Sequence, residues 1–345
     1  MSSAADRLAA HANEERLREQ LMRALRDLQK AKASRQDLVD AVYRAASDAI
    51  GALRLPPVVH SKPKSTSRGQ IGETAIAVLA DWQLGKRTPS YNSKVCARRI
   101  EEYSERVVKL TEIQRADHPV RDCRVYILGD LVEGELIFPG QAHRIDASLF
   151  AQVLADGPSI LGGFLRRMLA TFERVHVVGV IGNHGAIGGQ SRRESHPETN
   201  ADAMLYEVTR LRLEAEPRLT WAPNVVEGER RWYAVDKIGD KAFMLFHGDQ
   251  ARGGFAGFPW YGFGKRINGW RNGGIPEPFD YALSGHYHTP VRGLYGRVRH
   301  WGSGSTESDN TYAAEQLSAA GTPSQWLLFS HPQRGVTAEY EVHLT

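Results

Sequence analysis

Tyr281-Ala282-Leu283-Ser284-Gly285-His286-Tyr287-His288 is a short apolar run that stops at a glycine and two histidines separated by one residue. Extended backbone projects residues i and i+2 to the same side, and a glycine ahead of them lets another backbone approach closely. The stretch therefore reads as a strand that delivers two imidazoles to one point. The same punctuation recurs four times upstream. Ile76-Ala77-Val78-Leu79-Ala80 ends at Asp81 with Gln83, Val125-Tyr126-Ile127-Leu128 at Gly129-Asp130, the run 175–181 at Gly182-Asn183-His184, and the run 242–246 at His247. Taken singly these are ordinary: Asp81 can cap a following turn or helix, and Gly129-Asp130 are common turn residues. Five in succession, each at the C-terminal end of a strand-like run, point to one shared site.

Carboxylate, amide and imidazole donors are the mixture that a pair of divalent ions needs. Two ions about 3.5–4 Å apart can clamp a phosphate, hold a hydroxide between them and stabilise charge on the attacking and leaving oxygens. Imidazole suits Zn, Fe and Ni, whereas oxygen donors suit Mn and Mg. In order and type, Ala80-Asp81-Trp82-Gln83, Gly129-Asp130, Gly182-Asn183-His184-Gly185, Phe246-His247-Gly248-Asp249 and Ser284-Gly285-His286-Tyr287-His288 resemble the calcineurin-like metallophosphoesterase superfamily, and within it the Mre11/SbcD-type nucleases and related phage-encoded phosphoesterases. That pattern runs Asp-x-His, Gly-Asp, Gly-Asn-His-Asp/Glu, a lone His after a strand, and Gly-His-x-His. The likeness extends over residues 75–305 and leaves the first 70 unexplained.

The resemblance implies that Asp81, Gln83 and His288 hold one metal, that Asn183, His247 and His286 hold the other, and that Asp130 bridges them. It implies a catalytic set of Asp130, Asn183 and His184, the last placed over the scissile phosphate to stabilise it or protonate the leaving group. The fold it implies is a four-layer α/β/β/α sandwich, with ligands on loops beyond the strand ends. Two departures stand out. Gln83 occupies the usual His position and offers an uncharged amide oxygen, so two divalent ions are expected with Mn²⁺ favoured over Zn²⁺, and with Mg²⁺, Fe²⁺ or Ni²⁺ as alternatives. Gly185 occupies a position where an acidic residue often orients the catalytic His.

A chain of 345 residues suits one large catalytic domain with an appendage. Its 41% hydrophobic and 24% charged content fits a soluble globular protein. No window approaches the ~18 uncharged apolar residues of a membrane span, and the N-terminus lacks an apolar signal core. Cys96 and Cys123 show neither metal-type spacing nor a disulfide framework, so a cytoplasmic location is expected. The net charge of +4 is uneven: residues 1–72 hold 13 Lys+Arg and 8 Asp+Glu, against 31 and 32 in the rest. That basic excess suits a polyanionic partner or simply a mixed-charge helix face.

The chain divides by pattern into a helical extension over 1–55, a linker over 56–72 and the catalytic domain over 73–345. From Glu14 to Ile50 there is no Gly or Pro, and Leu17, Ala24, Ala31, Leu38 and Ala45 repeat with Leu21, Leu28, Val42 and Ala49 along one seam. This predicts a helical hairpin or coiled coil that forms a homodimer, binds a partner subunit or packs on the catalytic domain. Pro56-Pro57 and Ser61-Lys62-Pro63-Lys64-Ser65-Thr66-Ser67-Arg68-Gly69 read as a flexible linker. Beyond it, strand-like runs alternate with helical stretches predicted over 93–115, 147–172 and 198–213, which argues for an α/β sheet. Later runs at 326–329 and 338–344 are expected in a second sheet.

The ligand set implies phosphoester hydrolysis, with nucleic-acid or nucleotide phosphodiesters as the first reading. Phosphomonoesters are the second, and a non-catalytic assembly subunit that docks through its N-terminal helix is the third. The segment Phe255-Ala256-Gly257-Phe258-Pro259-Trp260-Tyr261-Gly262-Phe263-Gly264-Lys265-Arg266 interleaves aromatics with glycine and ends in two cations, which suits base stacking beside a phosphate path or a loop packed on the sheet edge. Lys86 and Arg87 after Gln83, and Arg192 with Arg193 after the Asn-His turn, are candidate phosphate contacts by charge. Tyr261 is a candidate stacking residue, and the resemblance adds His143 as a candidate substrate contact.

Overall fold

Ala75, Ala77 and Leu79 of the strand Glu73–Leu79 pack into one apolar cluster, while Ile76, Val78 and the following Ala80 pack into another. A strand with both faces apolar belongs between two layers, and this one organises the rest. The computed structural model describes residues 57–60, 71–135, 137–138, 140–187, 199–222, 225–226, 229–230, 232–253, 257–309 and 322–345. The helix predicted over 14–50, the linker run 61–69 and the candidate contacts Arg192 and Arg193 lie outside the described residues. The chain divides between Ala52 and Leu53, and every described residue falls in the second unit.

In chain order the elements are β1 (Glu73–Leu79), α1 (Ser93–Arg115), β2 (Val120–Ile127), α2 (Gly157–Thr171), β3 (Arg174–Gly179), α3 (Ala201–Arg212) and β4 (Leu219–Trp221), then the two-residue strands β5 (Val225–Val226) and β6 (Glu229–Arg230). They continue with β7 (Tyr233–Ile238), β8 (Lys241–Phe246), α4 (Trp260–Gly269), β9 (Tyr281–Ser284), β10 (Val291–Tyr295), β11 (Val298–Gly302), β12 (Ser324–His331) and β13 (Gly335–His343). One sheet has the order β13-β12-β1-β2-β3-β4 and the other β10-β11-β9-β8-β7. β1 through β4 pair in parallel, as helical crossovers demand, whereas β12 joins β1 antiparallel.

Side-chain parity sets the layers. Odd-numbered residues of β1 meet Ile100, Tyr103 and Val107 of α1 and Leu161, Leu165 and Met168 of α2. The even-numbered ones meet Phe243 and Leu245 of β8, Leu283 of β9 and Trp301 of β11. Ala242, Met244 and Phe246 of β8 face the opposite way, onto Phe263 and Ile267 of α4. Helices, sheet, sheet and helix therefore stack as the expected α/β/β/α sandwich. Asparagines open two of the helices: Asn92 Oδ1 accepts from the Lys94 and Val95 amides (3.0 Å each), and Asn200 Oδ1 from the Asp202 amide (2.8 Å). Among the described residues no helix is long and apolar enough to cross a membrane.

Three expectations need correction. The runs at 326–329 and 338–344 extend the first sheet, not the second, because every residue of β12 is buried and its Leu327 and Phe329 face the helices while Leu328 faces the other sheet. The helix predicted over 147–172 begins with a wide π-type turn, Ala151–Asp156, before α2. The aromatic segment is not a loop along its length: from Trp260 it is α4, whose Phe263 packs on the face of the second sheet at 5.9 Å from the Phe246 ring.

His300 of β11 lies in that outer apolar layer, its ring 4.8 Å from Phe263 and 5.8 Å from Tyr295, with Nε2 2.9 Å from Ser284 Oγ. Burial pushes its pKa down from 6.5 to about 3. The folded state thus holds the neutral ring and the unfolded chain takes up the proton first. Stability is full above pH 6.5 and falls as pH drops toward 3, approaching about 1.4 kcal/mol per pH unit. Urea unfolding at pH 7 and pH 5 should show this loss in the wild type and a flatter response in His300→Phe; parallel slopes would refute it.

Candidate metal centre

Both sheets end at one edge. Asp81 and Gln83 follow β1, Asp130 follows β2, Asn183 and His184 follow β3, His247 follows β8, and His286 and His288 follow β9. Backbone bonds lock these ends together: the Asp81 amide donates to Gly129 O (3.1 Å), the Gln83 amide to Asp130 O (3.0 Å) and the Gly285 amide to His247 O (2.8 Å). A Cβ on Gly285 would collide with Asp81 Oδ2, so the glycine makes room for a ligand side chain and not, as read from the sequence, for another backbone.

Asp81, Gln83, Asp130, His286 and His288 all adopt left-handed backbone, with φ between 49° and 73°. Among described non-glycine residues only Asp309 shares this, and such backbone costs on the order of 1 kcal/mol or more per residue. This corrects the expectation that His286 and His288 project side by side from a strand. β9 stops at Ser284, and the two rings reach different neighbours.

One group of donors converges on a single point. His247 Nε2 lies 3.1 Å from Asp130 Oδ2, 3.0 Å from Asn183 Oδ1 and 3.2 Å from His286 Nδ1. His247 Nδ1 donates to Leu128 O (2.8 Å), which leaves Nε2 as the lone-pair nitrogen of the neutral ring. Carboxylate oxygen, amide oxygen and imidazole nitrogens then crowd one point, where a cation can take the place of a ring proton. Among the described residues, Asp130, His247 and His286 form the group of three acidic, His or Cys donors within 4.8 Å of one another. The donor set therefore fits a divalent ion. Without a cation, the Asp130 carboxylate favours a proton on the ring instead. Burial would lower the His247 pKa, but the Asp130 carboxylate outweighs it and raises it to about 10. Burial would raise Asp130, yet His247 and His184 hold it well below the usual carboxylate range, while burial and His247 push His286 down.

The other half is built differently. His288 Nε2 lies 3.4 Å from Asp81 Oδ1 and 3.3 Å from the Gln83 amide nitrogen, and its Nδ1 lies 2.6 Å from Glu307 Oε1. Burial would lower His288, but Glu307 and then Asp81 raise it to about 10. Both Asp81 carboxylate oxygens accept from the His286 amide at 3.0 Å. Gln83 Oε1 accepts from Lys86 Nζ (3.0 Å), and Lys86 is ion-paired with Glu307.

His184 Nδ1 sits 3.0 Å from Glu133 O and 3.2 Å from Glu133 Oε2. An acidic partner for this histidine is thus present, supplied from the β2 loop instead of position 185. Gly185 has no room for one: a Cβ there would meet Asn200 Oδ1 at 2.5 Å at the start of α3. Burial would lower the His184 pKa; Asp130 and Glu133 prevail over it and over the opposing Lys86 charge, and raise it to about 9.

Among the candidate substrate contacts, Lys86 touches the site through Gln83, whereas Arg87 and His143 are exposed and meet each other, Arg87 Nη2 donating to His143 O (3.4 Å). Tyr261 is 78% exposed in the first turn of α4. Sequence reading missed Glu133, Glu307 and Asp202. Glu133 lies three residues past Asp130 with no spacing signal, and Glu307 follows β11 in a stretch that matches none of the five clusters. Asp202, fully buried in the first turn of α3, accepts from the amides of Asp130 (2.9 Å), Leu131 (3.0 Å), Val132 (3.3 Å) and Gly182 (2.8 Å). The Asn-x-Asp pair at a helix start was its one available signal.

No family model matches the chain, and no curated protein matches it. Among solved structures, it is similar to a predicted phosphoesterase from Streptococcus pneumoniae at 12% identity and TM-score 0.32, over 79% of this chain and 99% of that one. It is similar to an archaeal phosphodiesterase at 10% identity and TM-score 0.35, over 78% and 99%. It is also similar to the Escherichia coli phosphoesterase YfcE at 13% identity and TM-score 0.31, over 78% and 100%.

Removing the Asp202 carboxylate strands four amides in a buried place, where each lost partner costs about 1–3 kcal/mol before relaxation. Asp202→Ala should lower the free energy of unfolding by roughly 3 kcal/mol or more, measured by denaturant titration. A change below about 1 kcal/mol would show that the carboxylate does not hold the two strand ends.

Proposed function

We propose that this chain is a divalent-metal-dependent phosphoesterase of the calcineurin-like kind, acting as a phosphodiesterase on nucleic acid or nucleotides. The observation that most supports it is the convergence of Asp130 Oδ2, Asn183 Oδ1, His247 Nε2 and His286 Nδ1 on one point from both sheets. Mixed oxygen and imidazole donors favour Mn²⁺ with Fe²⁺ or Zn²⁺ behind it. The two-ion count implied by the five clusters also requires Asp81, Gln83 and His288 as a donor set, and of these Gln83 has its oxygen on Lys86.

Asp130, Asn183, His247 and His286 would hold a divalent ion, which would supply positive charge against a phosphate oxygen and lower the pKa of nearby water. The chain's own residues do the rest. Asp130 is fixed by its backbone: Asp202 accepts its amide, and its Oδ1 accepts the His184 amide at 2.7 Å. His184 is oriented through Nδ1 by Glu133, which leaves Nε2 for a substrate. With its pKa raised to about 9, the ring carries a proton at neutral pH that Nε2 can pass to the leaving oxygen as the P–O bond breaks. Support for a nucleic-acid or nucleotide ester comes from α4, where Trp260 (40% exposed) and Tyr261 offer rings ahead of the exposed Lys265 and Arg266.

Asp130→Ala and His286→Ala should each abolish Mn²⁺-dependent hydrolysis of an aryl phosphodiester and lower the bound Mn²⁺ seen by elemental analysis. Retained turnover in metal-stripped Asp130→Ala would rule the reading out. Rates on aryl mono- and diesters, then on DNA, RNA and cyclic nucleotides, distinguish the ester classes. His184→Ala should slow an alkyl phosphodiester by about 10²–10⁴-fold and an aryl one far less, since a good leaving group needs no proton. Equal losses on both would deny His184 the acid role.

A further inference from the structure

The two halves of the centre differ in what they lack. Around His247 the Asp130 carboxylate, the Asn183 oxygen and two imidazoles meet at one point. Around Gln83 the donors and acceptors close on themselves. Lys86 is a donor-only ammonium, so the side of the Gln83 amide that it faces is the oxygen, and the Gln83 NH₂ must face His288 Nε2. His288 Nδ1 faces Glu307 Oε1, and Glu307 Oε2 binds the same Lys86. Gln83, Lys86, Glu307 and His288 thus form a ring in which each polar group meets a partner. The Gln83 NH₂ thus covers His288 Nε2, at 3.3 Å. Asp81, the remaining donor, accepts the His286 amide on both oxygens and lies 3.4 Å from His288 Nε2 through Oδ1.

The chain geometry that brings Lys86 here is local. The Lys86 amide donates to Gln83 O (3.0 Å), and Gly85 at φ 98° completes a turn that carries the lysine back over the glutamine side chain.

We propose that the centre holds one divalent ion, on Asp130, Asn183, His247 and His286, and that the Lys86 ammonium, anchored by Glu307 and Gln83, stands in the place of a second. This rests on the metal-dependent reading above and changes its ion count. Replacing His by Gln at position 83 removes an imidazole donor and supplies an oxygen that an ammonium can hold, and Lys86 with Glu307 completes the exchange. A lysine is a compact point charge able to contact a phosphate oxygen directly, so the lost charge is replaced in part without a site that must be loaded.

The test counts ions. Full-length protein loaded with excess Mn²⁺ and desalted should hold one ion per chain by elemental analysis, with the electron paramagnetic resonance spectrum of an isolated Mn²⁺. The double variant Gln83→His/Lys86→Ala restores an imidazole and clears the ammonium, and should rise to two ions per chain with a spin-coupled spectrum. Two ions in the wild type would overturn the proposal and leave the phosphoesterase reading standing. No ion in the wild type would overturn both. A double variant that folds, by circular dichroism, and remains at one ion would show that Lys86 is not what occupies the second place.

Discussion

A single buried carboxylate fixes the geometry on which the site depends. Asp202 takes the amides of Asp130, Leu131 and Val132 at the end of β2 and of Gly182 at the end of β3. Asn200 completes the junction, its Oδ1 accepting the Asp202 amide and its Nδ2 donating to Gly182 O (3.3 Å). Loops that leave adjacent parallel strands would otherwise carry unpaired amides into a dry interior, at a cost comparable to a lost hydrogen bond for each. Charge-assisted acceptance by one carboxylate satisfies several at once. The position of Asp130, and through its Oδ1 that of His184, follows from this anchor.

The left-handed backbone at five of the candidate ligands belongs to the same logic. Such conformations persist only where surrounding bonds over-determine them. Here Asp81 O accepts from Ser305 Oγ (2.6 Å), Trp82 O from Thr306 Oγ1 (3.1 Å), and Ala80 pairs both its amide and carbonyl with the buried Gln325 side chain at 2.7 and 3.0 Å. The loop after β11 and the strand β12 are thereby straps on the β1 end. Strain at the donors is balanced by side chains that never face a ligand.

The five clusters were legible because chain reversals beyond parallel strands leave a short polar signature after an apolar run. Order and residue type together specify more than any one of them. The element types around β1, β2, β3, β8 and β9 were legible for the same reason. What failed to show depended on partners distant in sequence. β12 reads as a generic apolar run, and nothing local says whether its neighbour is β1 or a strand of the other sheet. Glu133 and Glu307 are ordinary acidic residues until the fold carries them to His184 and His288. The aromatic segment before Arg266 carries glycines that suggested a loop, yet burial of Phe258, Phe263 and Ile267 on the outer sheet overrode their low helix propensity. Nor could spacing reveal left-handed backbone at Asp, Gln and His, which tolerate it without requiring it.

The origin of the four converging donors gives them a structural role as well. Asp130 and Asn183 come from the first sheet and His247 and His286 from the second. Elsewhere the sheets are joined by the apolar layer of Ile76, Val78, Phe243, Leu245, Leu283 and Trp301. At the edge where the strands end that layer gives way to polar loops, and packing alone no longer holds the sheets in register. A cation shared by donors from both sides would close this edge, because its binding free energy would count only with all four in place. The Gln83–Lys86–Glu307–His288 ring does the same on the other side of Asp81, linking the β1 loop to residues after β9 and β11 by ion pairing within the chain. One half of the edge is therefore closed by the polypeptide itself, while the other gathers donors that fit an ion. That asymmetry follows from a glutamine at position 83.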